Sequence, residues 1–197
     1  MTVQKNAYVD ANPVIVTSEH KIVLAKRIKG TVGGGRWHLP GGRVQFKETF
    51  ENTLKRVAFA KTNLQVELFY PSLKESLVGI YDNPERDPRE HVVSIAFLCK
   101  IVDGETKPGA KVDAVKSFSE AETKNLEIAF DHRKTVEDAF SMLKNLNALL
   151  RKSCFESRAQ IGGLADAYMS SARYFRLKSL NLYPAPMLTR NDSKLSM

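Results

Sequence analysis

Pro40, Gly41 and Gly42 constrain this chain more than any other stretch. A ring-locked φ followed by two residues without Cβ specifies a tight turn whose amides a ligand can approach closely. The next segment has the opposite character. From about Lys47 to Lys61 there is no Gly or Pro, and Phe50, Leu54, Val57, Ala58 and Lys61 recur at helical spacing, with Glu48, Glu51 and Lys55 on the wetter side. The pattern predicts a contact loop that delivers a helix.

The surrounding segment, GRWHLPGGRVQFKETFENTLKRVAFAKTNL, resembles the Nudix box, G-x5-E-x7-R-E-U-x-E-E-x-G-U with U aliphatic. Trp37, Leu39, Pro40, Gly41 and Gly42 match its W-x-L-P-G-G lead-in; Glu48 follows Gly42 after five residues and Arg56 follows Glu48 after seven. The second half departs. Val57 stands for the glutamate after the arginine, Ala60 and Lys61 for the glutamate pair, and Asn63 for the glycine, while Ala58 and Leu64 keep the apolar character of the U positions.

The resemblance implies a Nudix-type α/β/α sandwich with a mixed β-sheet over residues 8–150. It also implies a substrate in which a nucleoside diphosphate is linked to another moiety. Family members hold Mg²⁺ or Mn²⁺ on the helix carboxylates, because such hard cations take oxygen ligands. Valine, alanine and lysine supply none, so the expectation here is Mg²⁺ weakly bound or absent. The lead-in WHLPGGRV is similar to that of the GDP-mannose mannosyl hydrolases, which tolerate a reduced box but keep the last glutamate, where this chain has Lys61.

Two readings of Lys61 stand open. Its ammonium faces the diphosphate roughly where the metal would lie, or it is a solvated helix residue. Glu48 and Arg56 likewise divide between a catalytic role and a structural ion pair bracing loop against helix. The hairpin expected over Asn12 to Arg27, with its turn at Ser18-Glu19-His20, ends in Lys26 and Arg27, either of which is a candidate phosphate contact or a charged strand end. Gly30, Gly33, Gly34 and Gly35 form a flexible approach that lacks the spacing of a phosphate-binding fingerprint.

Further on, Val66 to Tyr70 and Ser76 to Tyr81 read as strands on either side of Pro71, and His91 to Val102 as a long apolar strand. The loop Asp82-Asn83-Pro84-Glu85-Arg86-Asp87-Pro88-Arg89 is similar to one in ADP-ribose-type and archaeal Nudix hydrolases. The resemblance makes Arg86 and Arg89 candidate diphosphate or ribose contacts, against loop ion pairs with Asp82, Glu85, Asp87 and Glu90. Family members often draw a general base or a metal ligand from the loop before the next strand. By position Asp113 is the match, with Lys111 beside it. Ala114 to Phe118 reads as a strand, Ser119 opens a short helix, and Asp131 is placed to cap a helix running to about Lys152.

The net charge of +8 points towards anionic partners and is concentrated late in the chain. From Arg151 onward eight basic residues oppose only Glu156, Asp166 and Asp192. Residues 151–187, with Tyr168, Tyr174, Phe175 and Tyr183 among arginines, read as a basic helical extension, and 188–197 as a disordered tail. Such a mixture binds RNA or another acidic partner, or packs its aromatics on the parent domain. No run approaches the ~20 apolar residues of a membrane span. Two cysteines without metal-type spacing fit a reducing compartment, and a cytoplasmic protein is the default expectation.

Three functions are expected. One is a nucleotide-recognising domain with hydrolysis weak or lost. Another is an active hydrolase with a rebuilt Mg²⁺ site from Glu48, Glu51 and Asp113, or one completed by a partner chain in a homodimer. The last is a scaffold in an RNA-containing or other assembly anchored by the basic extension.

Overall fold

The structure, a computed structural model, describes residues 6–160. The basic extension expected over 151–187 lies largely outside them, and the tail expected over 188–197 wholly so. Eight strands and four helices succeed one another as β1 (Tyr8–Val16), β2 (Ile22–Arg27), β3 (Trp37–His38), β4 (Gly42–Arg43), α1 (Phe50–Thr62), β5 (Gln65–Leu68), α2 (Leu73–Ser76), β6 (Leu77–Tyr81), β7 (Val92–Asp103), β8 (Val112–Phe118), α3 (Glu120–Thr123) and α4 (His132–Gln160). The eight strands belong to one compact unit.

The sheet is mixed. Its main path runs β3-β2-β1-β7-β5, with β4 also on β1, β6 on β7 and β8 on β2. β1 and β7 run parallel, in register from Tyr8 opposite Val92 to Val16 opposite Lys100. The other named pairs are antiparallel. Ala11, Ile15, Phe97 and Cys99 alternate onto one face and pack with Leu54 and Ala58 of α1. Tyr81, opposite Ser94 on the other face, donates to Asp138 of α4 at 3.0 Å, so helices cover both faces. This is the α/β/α arrangement expected from the sequence.

Several boundaries move. β1 begins at Tyr8 rather than Asn12, which brings Asp10 into the sheet. α1 begins at Phe50, not Lys47, because Thr49 caps it by accepting from the Asn52 amide at 3.3 Å. Glu48 therefore precedes the helix and shares no helical face with Glu51. Asn63 closes α1 in the left-handed conformation, φ 60°, which asparagine tolerates nearly as glycine does. Ser76 ends the one-turn helix α2 rather than opening a strand, and β5 ends at Leu68 rather than Tyr70.

At the far end Ser119 caps α3 in a capping box with Glu122, as its position before a short helix suggests. Asp131 immediately precedes α4, but its carboxylate is taken by Arg86. α4 runs to Gln160, past the domain end read at residue 150. Among the described residues no helix is long and apolar enough to cross a membrane.

The loop between β7 and β8 is bound by its main chain. Amides of Lys107, Gly109 and Ala110 donate to the carbonyls of Thr62, Lys61 and Ala60 at 2.9, 3.1 and 3.1 Å. These are carbonyls at the C-terminus of α1, which the helix itself leaves without partners. A Cβ on Gly109 would lie 2.0 Å from the Ala60 carbonyl oxygen, so only glycine permits this approach.

Candidate functional site

Gly41 and Gly42, after Pro40, line a cleft of about 400 Å³. β1 contributes Asp10 and Asn12, the end of β2 Arg27, the last turn of α1 Lys61, the β6–β7 loop Arg86, Asp87, Arg89 and Glu90, and the entry to α4 Phe130 and His132. The glycines serve packing here. A Cβ on Gly41 would stand 1.5 Å from Asn12 Oδ1, and one on Gly42 3.0 Å from Val57 Cγ1. Gly41→Ala therefore forces strand and turn apart; a loss of about 1–3 kcal/mol is expected, read as a lower urea midpoint.

The cations of the cleft fall into two groups. Three are held by carboxylates. Arg86, whose side chain is only 5% exposed, binds Asp131 in a bidentate pair at 2.7 and 2.5 Å. Arg89 binds Asp87 the same way, at 2.8 and 2.5 Å, and Arg43 binds Glu90 at 2.5 Å while its guanidinium lies 3.6 Å from the centre of the Tyr8 ring. Arg27 and Lys61 make no ion pair among the described residues. Arg27 donates from Nε to the Val32 carbonyl at 2.9 Å and lies over Phe130, 5.1 Å from the ring centre. Lys61 donates to the Gly41 carbonyl.

Electrostatics bear the strain of this arrangement. Burial, and then the Arg27 charge, bring the Lys61 ammonium down to about 8. Burial lowers Arg27 as well, with Arg89 adding to it. Two cations that disfavour each other at one cleft form a site suited to an anion. Nearby, His38 and His132 are buried and held neutral, burial being the larger cause for each. His132 Nδ1 accepts from the Leu39 amide at 3.0 Å, which ties the start of α4 to the turn.

The carboxylates singled out for catalysis behave differently. Glu48 accepts from Arg56 Nε and Nη2 at 2.6 Å each, from Thr53 Oγ1 at 2.7 Å and from the Gln45 amide at 3.0 Å. These bonds, Arg56 foremost, hold its carboxyl down at about 2. Arg56 also donates to the Arg43 carbonyl at 2.9 Å, bracing β4 against α1. Glu51 is exposed on the first turn of α1, and Asp113 is exposed on β8. Among the described residues no three His, Cys, Asp or Glu side chains are grouped so as to hold a metal ion.

Of the residues singled out in the sequence, Arg27, Gly41, Gly42, Lys61, Arg86 and Arg89 line the cleft. Lys26, Glu48, Glu51, Arg56 and Asp113 do not. Lys26 faces its cross-strand partner Trp37 instead, with Nζ 5.8 Å from the ring centre. Sequence reasoning missed Asp10, Asn12, Arg43, Phe130 and His132. A signal existed for the first two: Asp10 and Asn12 alternate with Val9 and Ala11 in the first half of an otherwise largely apolar strand.

Residues 8–139 match the family described as NUDIX domain. Among curated relatives, an ADP-ribose pyrophosphatase of Methanocaldococcus jannaschii is 39% identical over 125 residues, 63% of this chain and 68% of that protein. A MutT-like protein of Streptomyces ambofaciens is 28% identical over 102 residues, 52% of this chain and 57% of that protein. Among solved structures, a MutT protein from Methanosarcina mazei Go1 is similar at a TM-score of 0.60 and 18% identity, covering 73% of this chain and 99% of its own. The NUDIX domain of Shewanella oneidensis NrtR, complexed with ADP ribose, is similar at 0.59 and 24% identity, covering 71% and 90%. These structural likenesses show the fold.

Proposed function

Because the chain belongs to the NUDIX domain family, we propose that its cleft binds a nucleoside diphosphate linked to another moiety, of ADP-ribose or nucleotide-sugar type, without a metal on α1. The observation that carries this reading is the pair Arg27 and Lys61, the cleft cations that make no ion pair within 4 Å among the described residues. A diphosphate supplies the balancing charge. Lys61 acts as a point charge and Arg27 as a planar fork, a combination suited to successive phosphate oxygens. Pyrophosphate hydrolysis is then weak or lost, since Glu48 is committed to Arg56 and, among the described residues, no carboxylates are grouped on α1 to hold a cation that would polarise the diphosphate.

Calorimetric titration of ADP-ribose and GDP-mannose, in Mg²⁺ and in chelator, with product analysis of the same samples, tests this. Binding in chelator without products is the expected result. A pH series adds a sign. Ligand binding needs the ammonium, which is lost as pH rises through about 8, so affinity should be flat below that value and fall by up to about tenfold per pH unit above it.

An active hydrolase is the second reading, favoured by the name of the 39% identical Methanocaldococcus jannaschii relative, ADP-ribose pyrophosphatase. It requires metal-dependent turnover that Glu48→Gln abolishes. The scaffold reading rests on the basic extension, which lies largely outside the described residues.

A further inference from the structure

The carboxylates around the cleft are nearly all spoken for. Asp87 holds Arg89, Glu90 holds Arg43 and Asp131 holds Arg86. Asp10 is held less tightly. It shares Arg43 with Glu90 in a longer ion pair, Nε 3.7 Å from its Oδ1, and that buried oxygen has no hydrogen-bond partner among the described residues. The side chain as a whole remains 26% exposed and lines the cleft.

A buried acceptor left without a donor is costly, and native structures keep one only for a reason. Register explains how Asp10 is held there. It sits on β1 between Arg43 of β4 and Ser94 of β7, and the Ser94 hydroxyl is turned to Asn12, from whose Nδ2 it accepts, two residues along the same face. Burial raises the Asp10 pKa, and Arg43 and Lys61 oppose that rise.

We infer that Asp10 is a specificity residue that accepts hydrogen bonds from the vicinal hydroxyls of a sugar on the ligand. This role rests on the proposed binding of a diphosphate by Arg27 and Lys61. Phosphate oxygens only accept and carry like charge, so Asp10 repels them and leaves the diphosphate to the two cations. A sugar diol carries two O–H donors, and Asp10 offers them Oδ2, the carboxylate oxygen that is neither buried nor hydrogen-bonded among the described residues. The cleft thereby orients its ligand, with phosphate at the cations and polyol at Asp10. An anion lacking hydroxyls gains nothing from this residue.

The test compares wild type, Asp10→Ala and Asp10→Asn by calorimetry in chelator, with ADP-ribose, ADP and inorganic pyrophosphate as probes. Thermal unfolding of each variant checks that it is folded, and the asparagine, which keeps the shape, serves if the alanine is not. Both variants should lose affinity for ADP-ribose by roughly tenfold to a hundredfold, the alanine more than the asparagine, and neither should lose affinity for pyrophosphate. A parallel loss with ADP places the adenosine ribose at Asp10; a loss confined to ADP-ribose places the second sugar there. Equal losses for pyrophosphate and ADP-ribose, or no loss with either nucleotide, would overturn the assignment. Failure of all three probes to bind the wild type would instead sink the nucleotide-binding reading itself.

Discussion

Lys61→Glu is expected to weaken ADP-ribose binding in chelator by about a hundredfold or more. Charge-assisted hydrogen bonds of this kind contribute about 1.5–3 kcal/mol, and the new carboxylate adds repulsion of the phosphates to their loss. Lys61→Met, which removes the charge and keeps the stem, should lose less. Stability moves the other way. The Lys61 pKa is lowered on folding, so the charged side chain opposes folding below about 8. Between that value and the ordinary lysine range the unfolded chain binds more protons, and wild-type stability rises with pH. Lys61→Met should abolish that rise and be no less stable at pH 7. Unchanged ADP-ribose affinity in both variants would remove Lys61 from the site. A residue that costs stability where it sits in a cleft is the mark of a binding group rather than a structural one.

Asp131→Ala should be the most destabilising single change at the cleft. It leaves the Arg86 guanidinium, with a side chain only 5% exposed, without its carboxylate. Breaking such a pair from one side costs about 3–5 kcal/mol. At roughly 2–4 °C per kcal/mol for a protein of this size, that is a fall of about 6–20 °C in Tm by circular dichroism. The double variant Arg86→Met, Asp131→Asn should recover part of the loss, because neither charge is then stranded. A fall of less than about 2 °C in the single variant would show that water reaches Arg86 and satisfies it. The outcome also separates two roles for Arg86. If the pair is structural, ligand affinity per folded molecule survives in the double variant.

The sheet and its two principal helices were legible because their periodicities are strong. Phe50, Leu54, Val57 and Ala58 announce α1, and the apolar run after His91 announces β7, whose Cys99 is buried. Boundaries were less legible, since single side chains set them. Thr49, not Lys47, decides where α1 starts. Within the site, Arg27, Lys61, Arg86 and Arg89 could be named from motif and loop. The pairing of Arg89 with Asp87, two residues away, stood among the alternatives; what could not be read was the pairing of Arg86, whose partner Asp131 lies 45 residues on. Asp10 escaped notice for a similar reason. Its significance is a missing bond, and a sequence displays the groups but not the bonds they fail to make.

The loop between β7 and β8 holds the end of α1 through main-chain amides, and Lys61 lends its carbonyl to that contact. Main-chain contacts are indifferent to side-chain identity, apart from Gly104 and Gly109, where a Cβ would lie 2.5 and 2.0 Å from the carbonyl oxygens of Asn63 and Ala60. The loop is consequently free to drift in composition but not in length. Point substitutions at Glu105, Thr106 or Lys107 should pass silently, whereas inserting one or two residues there would shift the amides out of phase with the helix carbonyls and swing the ammonium away from Gly41. Length, rather than chemistry, is the inheritance this loop passes on.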